Sequence, residues 1–272
     1  MTPIIDCHCH VYPEKIAAKA VEGIGSFYNI PMCMDGTLET LKREAKLAGI
    51  SHHIVFSVAT KPTQTRSINS FIAQTVSENP LMMTGLGTLH PDSEDLKGDI
   101  EHLLTLGLKG VKLHPDIQGF KIDDYRCLKI YELCEGRLPI LMHTGDNRYD
   151  FSNPNRLCPV LDIFTELVVI GAHFGGWSIW EEATEKLCKY KNLYVDTSSS
   201  LYSISPETAK KLVRAYGAEK VLFAVDYPMW KPSEELERFK AIGLEPWEEE
   251  LILWKNAVGI FSLDEKKIME NS

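Results

Sequence analysis

The chain has 272 residues, 44% of them hydrophobic and 25% charged, with a formal net charge of -9. This is globular composition on a length that buries a large core without disulfides, and the acidic balance argues against a nucleic-acid backbone or an anionic membrane as main partner. The sequence offers no run of about 18 apolar residues for a membrane span.

The N-terminus shows no basic segment leading into an apolar one, so no export signal is read there. Seven cysteines, at 7, 9, 33, 127, 134, 158 and 188, have no framework spacing. The expectation is a cytoplasmic protein with reduced thiols, and a homodimer is the default assembly.

Along the chain, short β-rich runs end in polar residues and are followed by helical patterns. They are "IIDCHCH" (4–10), "HIVFSV" (53–58), "MTGLGTLH" (83–90), "GVKLH" (110–114), "ILMHTG" (140–145), "LVVIGAH" (167–173), "LYVDTS" (193–198) and "VLFAVDY" (221–227). Their spacing of roughly 25 to 50 residues is that of β-helix-β crossovers. Between them, "DGTLETLKREAKLAG" (35–49) carries apolar residues at helical spacing and ends on Gly49. "DDYRCLKIYELCEG" (123–136) ends the same way, and so does "SPETAKKLVRAYG" (205–217), which opens with Ser205 as N-cap and Pro206 at the first helical position. No linker or low-complexity tract divides the chain. The reading is an α/β fold, a (β/α)8 barrel forming one domain over residues 1–272. An open doubly wound sheet is the alternative, but no glycine-rich phosphate turn follows the first strand.

In "IIDCHCH", strand alternation places Asp6, His8 and His10 on one face and Cys7 and Cys9 on the other. Cysteine suits an apolar layer under helices, so the acid and the histidines are expected to face the lumen. Two histidines two apart on a strand can bind one ion. Paired histidines can also be satisfied by ordinary hydrogen bonds. What adds weight is the end of the other runs: His90, Lys112, His114, His143, His173, Asp196 and Asp226 all fall there. With His8 and His10, six of the nine histidines belong to this set, and the strand C-termini of such a barrel converge on one mouth.

These motifs resemble the amidohydrolase superfamily, in particular its amidohydrolase 2 branch of metal-dependent barrels. "DCHCHVYP" resembles the opening D-x-H-x-H, "GVKLHP" the fourth-strand signature and "PILMHTG" the fifth. "GAHFGG", "NLYVDTSS" and "VDYP" are similar to the sixth, seventh and eighth, and "WKNAVGIFSL" (254–263) to the closing helix. Val225 departs from the family's usual serine before the aspartate.

The resemblance implies a divalent metal, with one zinc ion per chain expected, held by His8, His10, His143 and Asp226. It implies Asp226 as general base, His173 as the group that orients water or polarises substrate, and Asp6 as the partner that fixes a ligand ring. Lys112 and His114 are expected to bind an anionic or carbonyl oxygen. A binuclear site bridged by a carboxylated Lys112, with His143 and His173 on the second ion, is the lesser alternative. Arg148 and Trp230, on loops of the mouth, are candidate substrate contacts, with plain solvated loops as the other reading. His52, His53 and His102 read as structural.

The function expected first is hydrolysis of an amide, ester or lactone of a small molecule, which could be anionic, by a zinc-activated water. The runner-up is metal-dependent, non-oxidative decarboxylation of an aromatic or unsaturated carboxylic acid in the same site. A barrel that binds without turnover, and a phosphoesterase acting on nucleic acid, stand behind these two.

Overall fold

Strand β1 (Ile5–His10) is buried along its whole length, and the remaining strands run parallel to it in chain order. The computed structural model describes residues 2–271, so the two ends of the expected 1–272 domain lie outside the described residues. After β1 come β2 (His52–Phe56) and β3, which has two short runs, Met83–Gly85 and Gly87–Thr88. They are followed by β4 (Val111–Leu113), β5 (Ile140–Met142), β6 (Val169–Gly171), β7 (Leu193–Asp196) and β8 (Val221–Leu222).

The expected third strand, 83–90, is broken at Leu86, and the break is where the sheet changes partner. Met83–Gly85 pairs with β2, whereas Gly87–Thr88 pairs with β4. Glycine is needed on both sides of the break because helices press on the backbone there. A Cβ on Gly85 would lie 2.7 Å from Ile72 and from Leu108, and one on Gly87 would overlap Leu103. Leu86 N–H donates to Val55 O at 3.0 Å and closes this seam. The other seam joins β8 and the extended residues after it to β1, through Cys7 N–H to Phe223 O at 3.0 Å and His10 N–H to Tyr227 O at 2.8 Å. Both seams are hydrogen-bonded, so the strands close into the expected eight-stranded barrel.

Helices cover the outside of the barrel, and their ends follow local rules. Thr37 Oγ1 accepts from Thr40 N–H at the start of Leu38–Ala48, and Gly49 ends it in the left-handed region. Ser205 and Pro206 open Pro206–Tyr216 as the sequence suggests. One helix differs. Glu14–Tyr28 follows the C-terminal end of β1, its one fully buried residue is Ala17, and its last turns reach over the mouth. No helix among the described residues is long and apolar enough to cross a membrane.

Candidate metal and active site

The barrel mouth gathers side chains from the ends of several strands into a chamber of about 30 Å³. His8, His10, Lys112, His114, His143, His173 and Asp226 line it, together with Tyr28 from the overhanging helix. His173 and Asp226 hold positive φ angles of 61° and 71°, as does Ser199 at 44°. Such backbone is strained for residues with a Cβ, and strain of this kind concentrates at functional sites.

At the centre are His8, His10 and Asp226. Asp226 Oδ1 is 3.4 Å from His8 Nε2 and 3.7 Å from His10 Nε2, spacings that suit donors around an ion with bonds of about 2.1 Å. His8 Nδ1 lies 2.9 Å from Asp196 Oδ2. With Nδ1 donating there, Nε2 keeps its lone pair turned into the chamber, as a ligand nitrogen must. Burial, then the charges of Lys112 and His143, hold the His8 imidazole well below its ordinary range and thus neutral. Burial first, then Lys112, does the same to His10. The donor set fits a divalent cation: two neutral imidazoles and a carboxylate, with ligand atoms within 4.8 Å of one another.

Asp226 is not idle at its other oxygen. Ser199 Oγ donates to Oδ2 at 2.5 Å, and Trp230 Nε1 donates to that hydroxyl at 2.8 Å. Trp230 therefore reaches the site through Ser199, and it does not line the chamber. Burial pushes the Asp226 carboxyl up to about 7, against the pull of Ser199 and Lys112.

Lys112 is wholly buried, and its Nζ sits 3.1 Å from His8 Nε2. Burial lowers this ammonium to about 8, with Asp196 and Asp226 opposing. It occupies the same lone pair that an ion would use, so ion and ammonium compete for His8.

His143 stands apart from the first three donors and groups with His114 and Asp116. Its Nδ1 is 3.0 Å from His173 Nε2, and its Nε2 is 3.3 Å from Asp116 Oδ2. Its ring stacks on that of His114 at 4.0 Å. His173 Nδ1 donates towards Ser198 O at 2.9 Å, which leaves Nε2 free to accept. His114 Nε2 is 2.7 Å from the Tyr28 hydroxyl.

Two expectations change. Asp6 does not hold a ligand ring: Oδ1 accepts the backbone N–H groups of His8 and Val225, and Oδ2 accepts from Cys9 Sγ at 3.0 Å. A register shift between Asp6 and Cys9 breaks the strict alternation that put them on opposite faces. Asp196, at the end of β7, takes the orienting place instead. Arg148 uses its guanidinium internally, with Nε and Nη2 on Asp146 and Nη1 on Phe27 O. It lies outside the chamber lining.

Sequence reasoning passed over Asp116, Tyr28, Ser198 and Ser199. Asp116 follows His114 by two residues, a spacing that could have flagged it. Tyr28 comes from a helix with no local sign that it returns to the mouth.

Residues 5–263 match the amidohydrolase family model. A curated 2-amino-3-carboxymuconate-6-semialdehyde decarboxylase from Dictyostelium discoideum is 28% identical over 209 residues, 74% of this chain and 53% of that protein. The matched stretch thus spans about half the relative's length. The crystal structure of 5-carboxyvanillate decarboxylase from Sphingomonas paucimobilis superposes with a TM-score of 0.78 at 16% identity, over 97% of this chain and 100% of that one. A dihydroxybenzoic acid decarboxylase from Polaromonas, crystallised with manganese and 2-nitroresorcinol, gives 0.76 at 15% identity over 98% and 99%. These two share the barrel. With the family model matched across nearly the whole chain on top of the closed barrel and its mouth, the chain belongs to the amidohydrolase family.

Proposed function

We propose that this chain is a metal-dependent, non-oxidative decarboxylase of an aromatic or unsaturated carboxylic acid. The observation that carries the reading is the convergence of a buried cation, Lys112, and the donor set His8, His10 and Asp226 on one buried point. A carboxylate is the substrate group that such a point recognises. The named activities of the relatives above support decarboxylation ahead of hydrolysis.

A divalent ion bound by His8, His10 and Asp226 would supply positive charge to the carboxylate, and His143, the fourth ligand that the family resemblance implies, groups with His114 and Asp116 instead. Manganese and zinc both suit the donors. Lys112 then leaves His8 and pairs with a carboxylate oxygen, and Tyr28, whose hydroxyl oxygen accepts from His114 Nε2, donates its proton to a second oxygen. Asp226 turns Oδ1 to the histidines, which leaves Oδ2 to hold a proton beside Ser199. His173, fixed through Nδ1 by Ser198, accepts from His143 Nδ1 at Nε2 and holds that ring in place beside the chamber. As the bond to the carboxylate breaks, its electron pair stays on carbon, that carbon takes the proton held at Asp226, and carbon dioxide leaves. No oxidant is required.

Hydrolysis of an amide, ester or lactone remains the second reading and rests on family membership alone. The test is carbon dioxide release from a panel of hydroxybenzoates and unsaturated acids by manganese- or zinc-loaded protein, beside an amide, ester and lactone panel. Release that disappears in Asp226→Asn supports the proposal. Turnover confined to the hydrolytic panel overturns it.

A further inference from the structure

The chamber is too small for the acid it is meant to hold. About 30 Å³ accommodates about two waters, not an aromatic ring. Next to it is a groove of about 520 Å³, within the usual range for a small-molecule site. His10, Ile24, His114 and Ile117 line both spaces, so the two are continuous past Ile24 of the overhanging helix and Ile117.

The groove runs between that helix and the segment after β2. Ala20, Gly23 and Phe27 form one wall, and Val58, Ile68 and Phe71 the other. Among the described residues, Lys19, an exposed side chain, is its one lining Lys, Arg, Asp or Glu. Arg148, the other nearby cation, is spent on Asp146 and Phe27 O. Nothing deep in the groove pairs a second charge, and burying an unpaired one is costly.

We propose that the groove is the subsite for the body of the substrate, and that the substrate is a carboxylic acid with an uncharged alkyl or aryl extension rather than a compact dicarboxylate. This rests on the reading that a carboxylate binds at the chamber. The carboxylate enters past Ile24, and the extension lies between Gly23 and Phe71. Gly23 is the natural place to block it, since a Cβ there meets nothing within 4 Å.

The test is affinity, measured by calorimetry on manganese-loaded protein, for 2-hydroxybenzoate and its 4-butyl and 4-octyl derivatives. Matched 3-alkylphenols lack the carboxylate. In the wild type each buried methylene tightens binding about fourfold, so the butyl group gives a gain of about 200-fold. Gly23→Phe abolishes that gain and Gly23→Ala keeps it. Ser67→Phe, on the groove's other side, is the second blocking variant should the first not fold. Equal affinity along the series, an unchanged gain in both blocked variants, or no binding in either series overturns the inference. If the phenols gain from the tail and the acids bind no better than the phenols, the groove stands and the carboxylate reading fails. If the parent acid binds tightly and the tail adds nothing, the groove fails and the carboxylate reading stands.

Discussion

Asp196 Oδ2 lies 2.9 Å from His8 Nδ1, with both side chains buried. The other oxygen, Oδ1, accepts the backbone N–H groups of His173 and Ser198 at 2.9 and 3.1 Å. One carboxylate thus fixes the tautomer of a candidate ligand and the turn that carries His173. Both of its oxygens must accept.

Asp196→Asn can satisfy only one of those roles, because an amide nitrogen cannot accept. Ion affinity is expected to fall about 10- to 100-fold while the circular dichroism spectrum stays native. Competition titration against a fluorescent chelator measures it. Unchanged affinity would mean that the His8 tautomer is set elsewhere.

Lys112→Met removes the competitor for His8 Nε2 and a neighbouring positive charge. Ion affinity is expected to rise at least about tenfold, in keeping with a charged hydrogen bond worth about 1.5–3 kcal/mol. Carbon dioxide release is expected to drop at least about 100-fold as carboxylate binding is lost. A bridging, carboxylated Lys112 would give the opposite result for the ion, with half of the bound metal lost.

Much of this site was legible because strand ends converge. His8, His10, His114, His143, His173 and Asp226 all close β-runs, and a barrel brings those ends to one mouth. Asp6 was misread because period-2 alternation assumes regular strand pairing, and β1 shifts register between Asp6 and Cys9. The break in the third strand was hidden as well, although Gly85 and Gly87 mark it. Tyr28 and Asp116 were out of reach for another reason: their roles depend on how a helix folds back over the mouth and how a short turn aims. Arg148 looked available because sequence alone did not reveal that Asp146 claims it.

Gly87→Ala tests the tight approach at that break. The added methyl overlaps Leu103, and overpacking of this kind costs about 1–3 kcal/mol. A lower urea midpoint with an unchanged slope is the expected result. Gly23→Ala is expected to go the other way, gaining up to about 1 kcal/mol from helix propensity at an open position.

Acid sensitivity follows from the histidines beneath the site. Burial pushes His53 down to about 3 and His52 to about 4, from an ordinary 6.5. Below pH 6.5 the unfolded chain gains protons that the folded protein does not. The stability is therefore whole above pH 6.5 and is lost as pH falls towards 4 and 3. At pH 5.5 each histidine accounts for about 1.4 kcal/mol of that loss. Asp6, raised to about 6 by burial, works in the opposite direction in both proteins of the comparison. His53→Gln is expected to lose about 1.4 kcal/mol less than wild type between pH 7.5 and 5.5, read from denaturant midpoints. Parallel curves would contradict the assignment.

The most direct test of a single-ion centre at His8, His10 and Asp226 is metal content per chain, for protein prepared without chelator and for His8→Ala. About one divalent ion per chain is expected in wild type, and it is lost in the variant. Two ions per chain, or one ion retained in His8→Ala, would contradict a single-ion centre there.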